Sequence, residues 1–516
     1  MDFLNLSLET PDWGIATPHV ILFALAMALL FLDAFLPKEK HYVWLTAVSL
    51  VGYAASLVAL YWRHGEDEQT FRGMFRSDGL TLFMTMAIVT AAILSVMVSA
   101  SYVEYLEGRM PLGEFYVLLA FAVLGSTLTA AAGDLVMIFV GIELSSLATY
   151  ILTAFAKRRT SSLEGALKYF LLGIFASAIL VYGMAWIYGL TGSTDLDVIA
   201  LQLQEIVSGE GRREPEVLLA LLLIVVGLGF KIAAVPFHMW TPDAYDGAPT
   251  PVTGYMSVVP KVAGFAAIIR IMVQGLGPLR EDWIELIAVL AVLTMAFGNL
   301  VAIAQRNVKR MLAYSSIAHT GYMLVGLAAY QTGGGFSVGG GAAGTEGDTG
   351  IWSMLYYLFA YTFMNIGAFA VVTWLQHRGR GMMLDDFAGL ASTQPLAAAA
   401  MTIFMVSLMG VPPLLGFYAK YYVILAAIDA DQLWLALAVV IASAVSAYFY
   451  LRVVAVMYFS SPERTPRAAS TRLLDVGIAA MVVANIALGL FSERIVNLAD
   501  DWSNALTVAA RMTNGG

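Results

Sequence analysis

Runs of roughly 20 apolar residues, the length that spans a ~30 Å hydrocarbon core, recur along nearly the whole chain. No other feature limits the fold so strongly. Lipid offers no water to unpaired backbone groups, so each such run must close its hydrogen bonds internally as a helix. A membrane β-barrel would show short alternating segments, and the sequence has none. Only 13% of the 516 residues are charged and 59% are hydrophobic, against ~25% charged in a soluble domain. The expected fold is an all-α polytopic membrane protein.

Fourteen spans are expected, near 18–36, 42–62, 79–101, 113–131, 134–155, 165–190, 217–237, 250–274, 283–304, 311–330, 351–375, 395–427, 432–459 and 473–492. The N-terminal MDFLNLSLETPDW lacks the basic region of a signal peptide, so the first run is expected to stay as a span. Loops after odd-numbered spans carry fourteen Lys and Arg, and the other loops with the C-terminal tail carry eight. By the positive-inside rule the odd loops face the cytoplasm and both termini lie outside. The glycine-rich stretch 331–350 reads as a flexible outer loop. The acidic loop 191–216 has room for a short surface helix.

Without cysteine the chain forms no disulfide and holds no iron–sulfur cluster unaided. It shows neither a phosphate-binding glycine loop nor a strand–GxGxxG–helix unit, which argues against ATP or nicotinamide binding in this chain. The net charge of −9 argues against nucleic acid as a partner. Among the histidines, His19 and His41 fall at span edges and His64 and His377 in loops, a poor set for axial haem ligation.

Six cations remain within or beside spans: Lys168, Lys231, Lys261, Arg270, Lys420 and Arg452. A charge at membrane depth costs several kcal/mol, so it pairs, lines a hydrated cavity or serves transport. Glu143 lies mid-span in GIELSSLATY and has no cation in its own helix; it needs one from another helix, or a proton. Lys231 lies deep in the seventh span, where Pro236 removes one helix hydrogen bond and frees the carbonyl of Ile232. A Glu143–Lys231 contact that forms and breaks would load and unload a proton; a static pair that only fixes packing needs the same residues. His238, seven residues on, would lie about 10 Å along the same face if the helix continued, either as a relay member or hydrogen-bonded at the span end.

Lys261, after Pro260, extends a polar path sideways from Lys231, while Arg270 nearer the edge has the reach to snorkel. Glu164 and Lys168 are spaced i, i+4, either as a local salt bridge or with Lys168 tuning Glu143 or Lys231. His319 sits among Ser315, Ser316, Thr320 and Tyr322, a stretch suited to holding water or to satisfying the imidazole. Lys420 ends VPPLLGFYAK, where Pro412, Pro413 and Gly416 break the helix. The seventh and twelfth spans are thus each interrupted near a buried lysine, the pattern that marks a transport site. Arg452 and Asp33 lie near enough to an interface to be structural.

PFHMWTPDAYDGAPTPVTGYM with Lys231 before it and Lys261 after it, GIELSSLATY around Glu143, RNVKRMLAYSSIAHTGYM around His319 and VPPLLGFYAKYYV around Lys420 resemble the antiporter-like subunits of respiratory complex I. The likeness covers nearly the whole chain. The short C-terminal end and Lys420, where M-type members usually have glutamate, look most similar to N-type members. The resemblance implies two inverted five-helix repeats, spans 4–8 and 9–13, within segments 1–112, 113–275, 276–460 and 461–516. It implies a proton relay of Glu143 with Lys231, then Lys261 and His319, then Lys420, with His238 and Lys168 supporting. It also implies that NADH, FMN, iron–sulfur clusters and quinone belong to partner subunits. The neighbours would be M-type and small K-, J- and A-type membrane subunits, in a bacterial inner membrane. A subunit of an Mrp-type sodium–proton antiporter and a non-transporting membrane scaffold are the alternatives.

Overall fold

Apolar runs become helices at every expected place. The computed structural model describes residues 10–36, 41–63, 67–106, 113–208, 215–331, 349–379, 381–462 and 472–492. The helices are α1 Thr17–Phe35, α2 His41–Trp62, α3 Gly79–Leu106, α4 Gly113–Ala130, α5 Leu135–Thr153, α6 Thr160–Thr191, α7 Leu196–Ser208, α8 Pro215–Lys231, α9 Thr241–Gly247 and α10 Thr250–Met256. They continue as α11 Val259–Ile268, α12 Arg280–Ala304, α13 Val308–Ala328, α14 Thr349–His377, α15 Leu390–Thr393, α16 Pro395–Met409, α17 Leu415–Asp429, α18 Leu433–Phe459 and α19 Arg472–Leu490. Among the described residues, eleven helical segments are long and apolar enough to cross a membrane. At the three other expected places stand the 17-residue α8, the hydroxyl-rich α13 and the split pair α16–α17. Most of the expected 331–350 loop lies outside the described residues, as do His64 and the C-terminal tail.

The core is built from α14 and the α10–α11 segment, which are buried almost all round. Helix α14 packs on α3, α13, α16, α17 and α19. Peripheral helices keep apolar rows outward, with Phe23, Val51, Phe175, Ile441 and Val483 all exposed. An apolar exterior around a polar interior suits hydrocarbon as solvent.

One element goes beyond the sequence reading, and another, the short surface helix in the 191–216 loop, was anticipated by it. An antiparallel hairpin, β1 Glu68–Thr70 with β2 Phe75–Ser77, pairs Glu68 with Ser77. Helix α7 fills the expected surface loop, and Arg76 of β2 donates to both carboxylate oxygens of Asp197 at 3.0 and 2.8 Å. The hairpin and α7 therefore close one end of the bundle together.

Local chemistry sets the helix ends that matter for the site. Asp134 caps α5 by accepting from the amides of Val136 and Met137, and Asn307 caps α13 by accepting from Lys309 and Arg310. Such caps are worth about 1 kcal/mol each. The glycines at Gly125 and Gly141 let α4 and α5 touch. A Cβ at Gly125 would stand 2.5 Å from the Ser145 nitrogen, and one at Gly141 would stand 2.8 Å from the Thr129 nitrogen.

Three spans are interrupted, one more than the sequence suggested. The seventh stops at Lys231, with Ala233 in the left-handed region at φ 61°, and resumes as α9. The twelfth stops at Met409, turns through Gly410 at φ 91°, and resumes at Leu415. The eighth, expected to be continuous over 250–274, breaks after Met256, restarts with Pro260 in the first turn of α11, and ends as a π-helix over Ile269–Gly275.

Candidate functional site

Lys231 is the last residue of α8, so its cation sits at a helix C-terminus, where the dipole favours it. Its ammonium donates to the Glu143 Oε1 at 3.0 Å, the Ser146 Oγ at 3.1 Å and the Ser177 Oγ at 3.1 Å. The Ser177 hydroxyl in turn donates to the same Glu143 oxygen at 2.5 Å. Helices α5, α6 and α8 thus meet on one ion pair, with the Lys231 side chain 8% exposed and that of Glu143 21% exposed. Ser146 was findable, three residues after Glu143 on the same helical face. Ser177 left no signal in the sequence.

The freed carbonyl of Ile232 accepts from the Thr320 hydroxyl at 2.9 Å. That hydroxyl also accepts from the Lys261 ammonium at 2.8 Å, which further donates to the Ser316 carbonyl at 2.5 Å and the Ser316 Oγ at 2.6 Å. The broken seventh span and Lys261 are therefore joined through α13.

His319, one residue before Thr320, has both ring nitrogens engaged. Nδ1 lies 2.7 Å from the Tyr357 hydroxyl and Nε2 lies 3.0 Å from the Tyr450 hydroxyl. Tyr450 continues to the Ser315 Oγ at 2.5 Å. A neutral imidazole donates from one nitrogen and accepts at the other, and tyrosine hydroxyls serve either role. The arrangement can thus pass a proton by exchanging tautomers. Tyr357 and Tyr450 were missed, because tyrosines in apolar spans look like ordinary core residues.

Lys420, on α17, donates to the Met409 carbonyl at 2.9 Å and the Ser443 Oγ at 2.8 Å. Met409 ends α16, so this cation also meets a helix C-terminus exposed by a break. A Cβ at Gly410 would stand 2.9 Å from the Lys420 Cδ, so both the left-handed backbone and the close approach require glycine there.

Several expectations are corrected. His238 does not share a helical face with Lys231, because α8 stops at Lys231; its ring lies against Phe297 with centroids 4.5 Å apart. Its Nδ1 is buried without a hydrogen-bond partner among the described residues. Lys168 forms the local salt bridge with Glu164 that the i, i+4 spacing offered, at 2.8 Å, and a second bond of 2.8 Å to Asp243; it forms no ion pair with Glu143 among the described residues. Asp243 also holds Arg310 at 2.9 Å, and Arg310 lies 3.6 Å from Asp246. Lys309, counted as a loop cation, is buried and donates to the Ala248 carbonyl at 2.5 Å.

Arg270 does not snorkel. It is fully buried in the π-helix and binds Asp78 through two bonds at 2.5 and 2.7 Å, with the Thr81 hydroxyl at 2.8 Å and the Ala130 carbonyl at 3.0 Å. Burial pushes the Asp78 carboxyl up, but the Arg270 guanidinium and the Thr81 amide outweigh it and hold the group below the usual carboxylate range. Arg452 fits the structural expectation: it donates to the Ile303 carbonyl at 2.9 Å and to that of Gln305, at the end of α12.

Residues 132–446 match a family model described as NADH:quinone oxidoreductase/Mrp antiporter, TM. The chain is 43% identical over 459 residues to the NADH-quinone oxidoreductase subunit N of Trichlorobacter lovleyi, covering 88% of this chain and 89% of the relative. It superposes on a chain of respiratory complex I from Thermus thermophilus with a TM-score of 0.76 and 34% identity, covering 94% of this chain and 99% of that one. It shares its fold with a chain of the Mrp complex from Dietzia, with a TM-score of 0.80 over 96% and 98% of the two chains, at 21% identity.

Proposed function

This chain belongs to the NADH-quinone oxidoreductase subunit N family, and on that premise we propose that it carries protons across the membrane as one subunit of a proton-pumping NADH:quinone oxidoreductase. The observation that carries the reading is the buried Lys231–Glu143 pair at the broken end of α8. While the pair is closed, carboxylate and hydroxyls hold the ammonium's proton. When it opens, a lone ammonium in a dry interior is costly, and the proton is released. The Thr320 hydroxyl bridges the Ile232 carbonyl to Lys261, His319 with its two tyrosines carries the path along α13, and Lys420 serves as the last carrier. His238 and Lys168 are left as supporting residues. NADH, FMN, iron–sulfur clusters and quinone belong to partner subunits, and M-type and small K-, J- and A-type membrane subunits are the neighbours.

We further propose that α8 with α9, α13, and α16 with α17 also cross, giving fourteen spans with both termini outside a bacterial inner membrane. Segments 113–275 and 276–460 would be inverted repeats, between the N-terminal segment 1–112 and the C-terminal helix and tail 461–516. Correspondences support this reading. Both α5 and α13 begin on a side-chain cap. The α4–α5 contact through Gly125 and Gly141 is matched by an α12–α13 contact, where a Cβ at Gly298 would stand 2.6 Å from the Ala318 nitrogen and one at Gly321 2.7 Å from the Met295 nitrogen.

The test is Lys231→Ala in the intact complex. Proton uptake per quinone reduced, measured in inverted vesicles, should fall severalfold while the subunits still assemble. Unchanged pumping would overturn the relay and favour a scaffold. A mass-spectrometric inventory separates the other alternative: the subunit should co-purify with flavin and iron–sulfur proteins, whereas an assembly without redox centres would indicate an Mrp-type antiporter.

A further inference from the structure

We propose that Tyr322 is a positioning residue that closes the path between His319 and Lys420 in this structure and opens it when its ring swings aside. The inference rests on the proton relay proposed above and concerns its join between His319 and Lys420, where no direct hydrogen bond exists among the described residues.

Tyr322 lies three residues after His319 on α13, and such residues are neighbours on one helical face. The two rings meet edge to face with centroids 5.6 Å apart. On its other side the Tyr322 ring lies 4.8 Å from the Lys420 ammonium, inside the ~6 Å range of a cation–π contact. The ring therefore touches both groups. His319 has no hydrogen-bonding position left over, and Lys420 has one. Both His319 nitrogens are taken by Tyr357 and Tyr450. Two of the three Lys420 N–H groups go to Met409 and Ser443, and the ring covers part of what remains. A proton moves along hydrogen bonds and does not cross an aromatic ring, so with Tyr322 in place Lys420 is cut off from the centre.

The ring is held through its hydroxyl by Asn299 and Ser446. The Tyr322 hydroxyl accepts from the Asn299 Nδ2 at 3.1 Å, and that same nitrogen also donates to the Ala442 carbonyl at 3.1 Å. The other end of the amide, Asn299 Oδ1, is buried and has no partner among the described residues. A buried acceptor left unsatisfied costs about 1–3 kcal/mol, and a water that enters as the ring leaves would relieve it. In the open state that water displaces one of the two tyrosine hydroxyls from His319 and bridges the freed nitrogen to Lys420. A proton leaves one nitrogen, whose electron pair stays behind as a neutral lone pair, and an equivalent proton from the water reaches the other. When the ring returns it expels the water and prevents back-flow.

The experiment reconstitutes the intact complex in liposomes with Tyr322→Leu, Tyr322→Phe and Lys420→Ala. The leucine variant should pump fewer protons per quinone reduced and leak protons severalfold faster when quinone reduction is inhibited. The phenylalanine variant keeps the ring without its hydroxyl anchor and should leak less than the leucine variant but faster than the unmodified complex. A leucine variant with both the leak and the stoichiometry of the unmodified complex would overturn the gate, provided Lys420→Ala abolishes this subunit's pumping. If Lys420→Ala pumps normally, the relay itself falls and the gate falls with it. Should the leucine variant not assemble, Asn299→Ala with Ser446→Ala frees the ring from its anchors: a faster leak supports the gate, and an unchanged one overturns it.

Discussion

The Thr320 hydroxyl donates to the Ile232 carbonyl across 2.9 Å, so α13 fastens the broken end of α8 to the helix that carries His319. A hydroxyl has one hydrogen and two lone pairs, and this one also accepts from Lys261. Thr320→Val keeps the shape and removes both bonds. It should cost about 1–3 kcal/mol for the unsatisfied carbonyl and lower proton pumping more than quinone reduction. Thr320→Ser should restore most of both. The thermal melt of the purified complex and vesicle pumping measure it; a valine variant equal to the unmodified complex would contradict the link.

Arg270→Met should prevent assembly. It leaves the Asp78 carboxylate buried without its cation, which costs about 3–5 kcal/mol. The double change Arg270→Met with Asp78→Leu removes the uncompensated charge and should recover much of the assembled complex on native gels. A double variant no better than the single one would argue against the ion pair as the cause.

Acid should act on the same pair. The Asp78 carboxyl is held below its ordinary value, so its contribution to stability is complete above pH ~4 and is lost only as pH falls through the lower folded value. Melting temperatures between pH 7 and pH 3 should show this loss in the unmodified complex and its absence in Asp78→Asn, which starts less stable. Equal slopes in the two would remove Asp78 from the explanation.

Lys168→Ala should change pumping less than twofold. Its ammonium is half exposed and held by Glu164 and Asp243, and Asp243 keeps Arg310 when Lys168 is gone. A loss as deep as that of Lys231→Ala would show that Lys168 acts on the buried pair from a distance.

Gly410→Ala should impair pumping. The alanine would have to adopt φ near 91° and would press on the Lys420 side chain; the left-handed backbone alone costs roughly 1–2 kcal/mol. Gly189→Ala on α6, where a Cβ meets nothing within 4 Å, is the matched control and should be silent.

Much of this was legible in the chain itself. Helical class and the places of the apolar runs follow from solvent alone, because hydrocarbon accepts no unpaired backbone. The interruptions of the seventh and twelfth spans follow from Pro236 and from Pro412 and Pro413. That Glu143 needed a cation from another helix follows from the cost of its charge. The break at Ser257 went unread although Pro260, in the first turn of α11, carries the same signal as Pro236.

The tertiary structure decided which buried groups meet. Ser177 reaches Glu143 across 34 residues, Tyr450 reaches His319 across 131, and Asp78 reaches Arg270 across 192. A hydropathy run states that a segment is a helix in lipid and leaves its rotation about its own axis unstated, yet that rotation decides which side chains face one another. His238 shows the same limit at short range, because a face extrapolated through a helix ends where the helix does. The apolar runs that constrained the fold from the start thus determine where the polar residues are buried, and helix packing alone determines which of them meet.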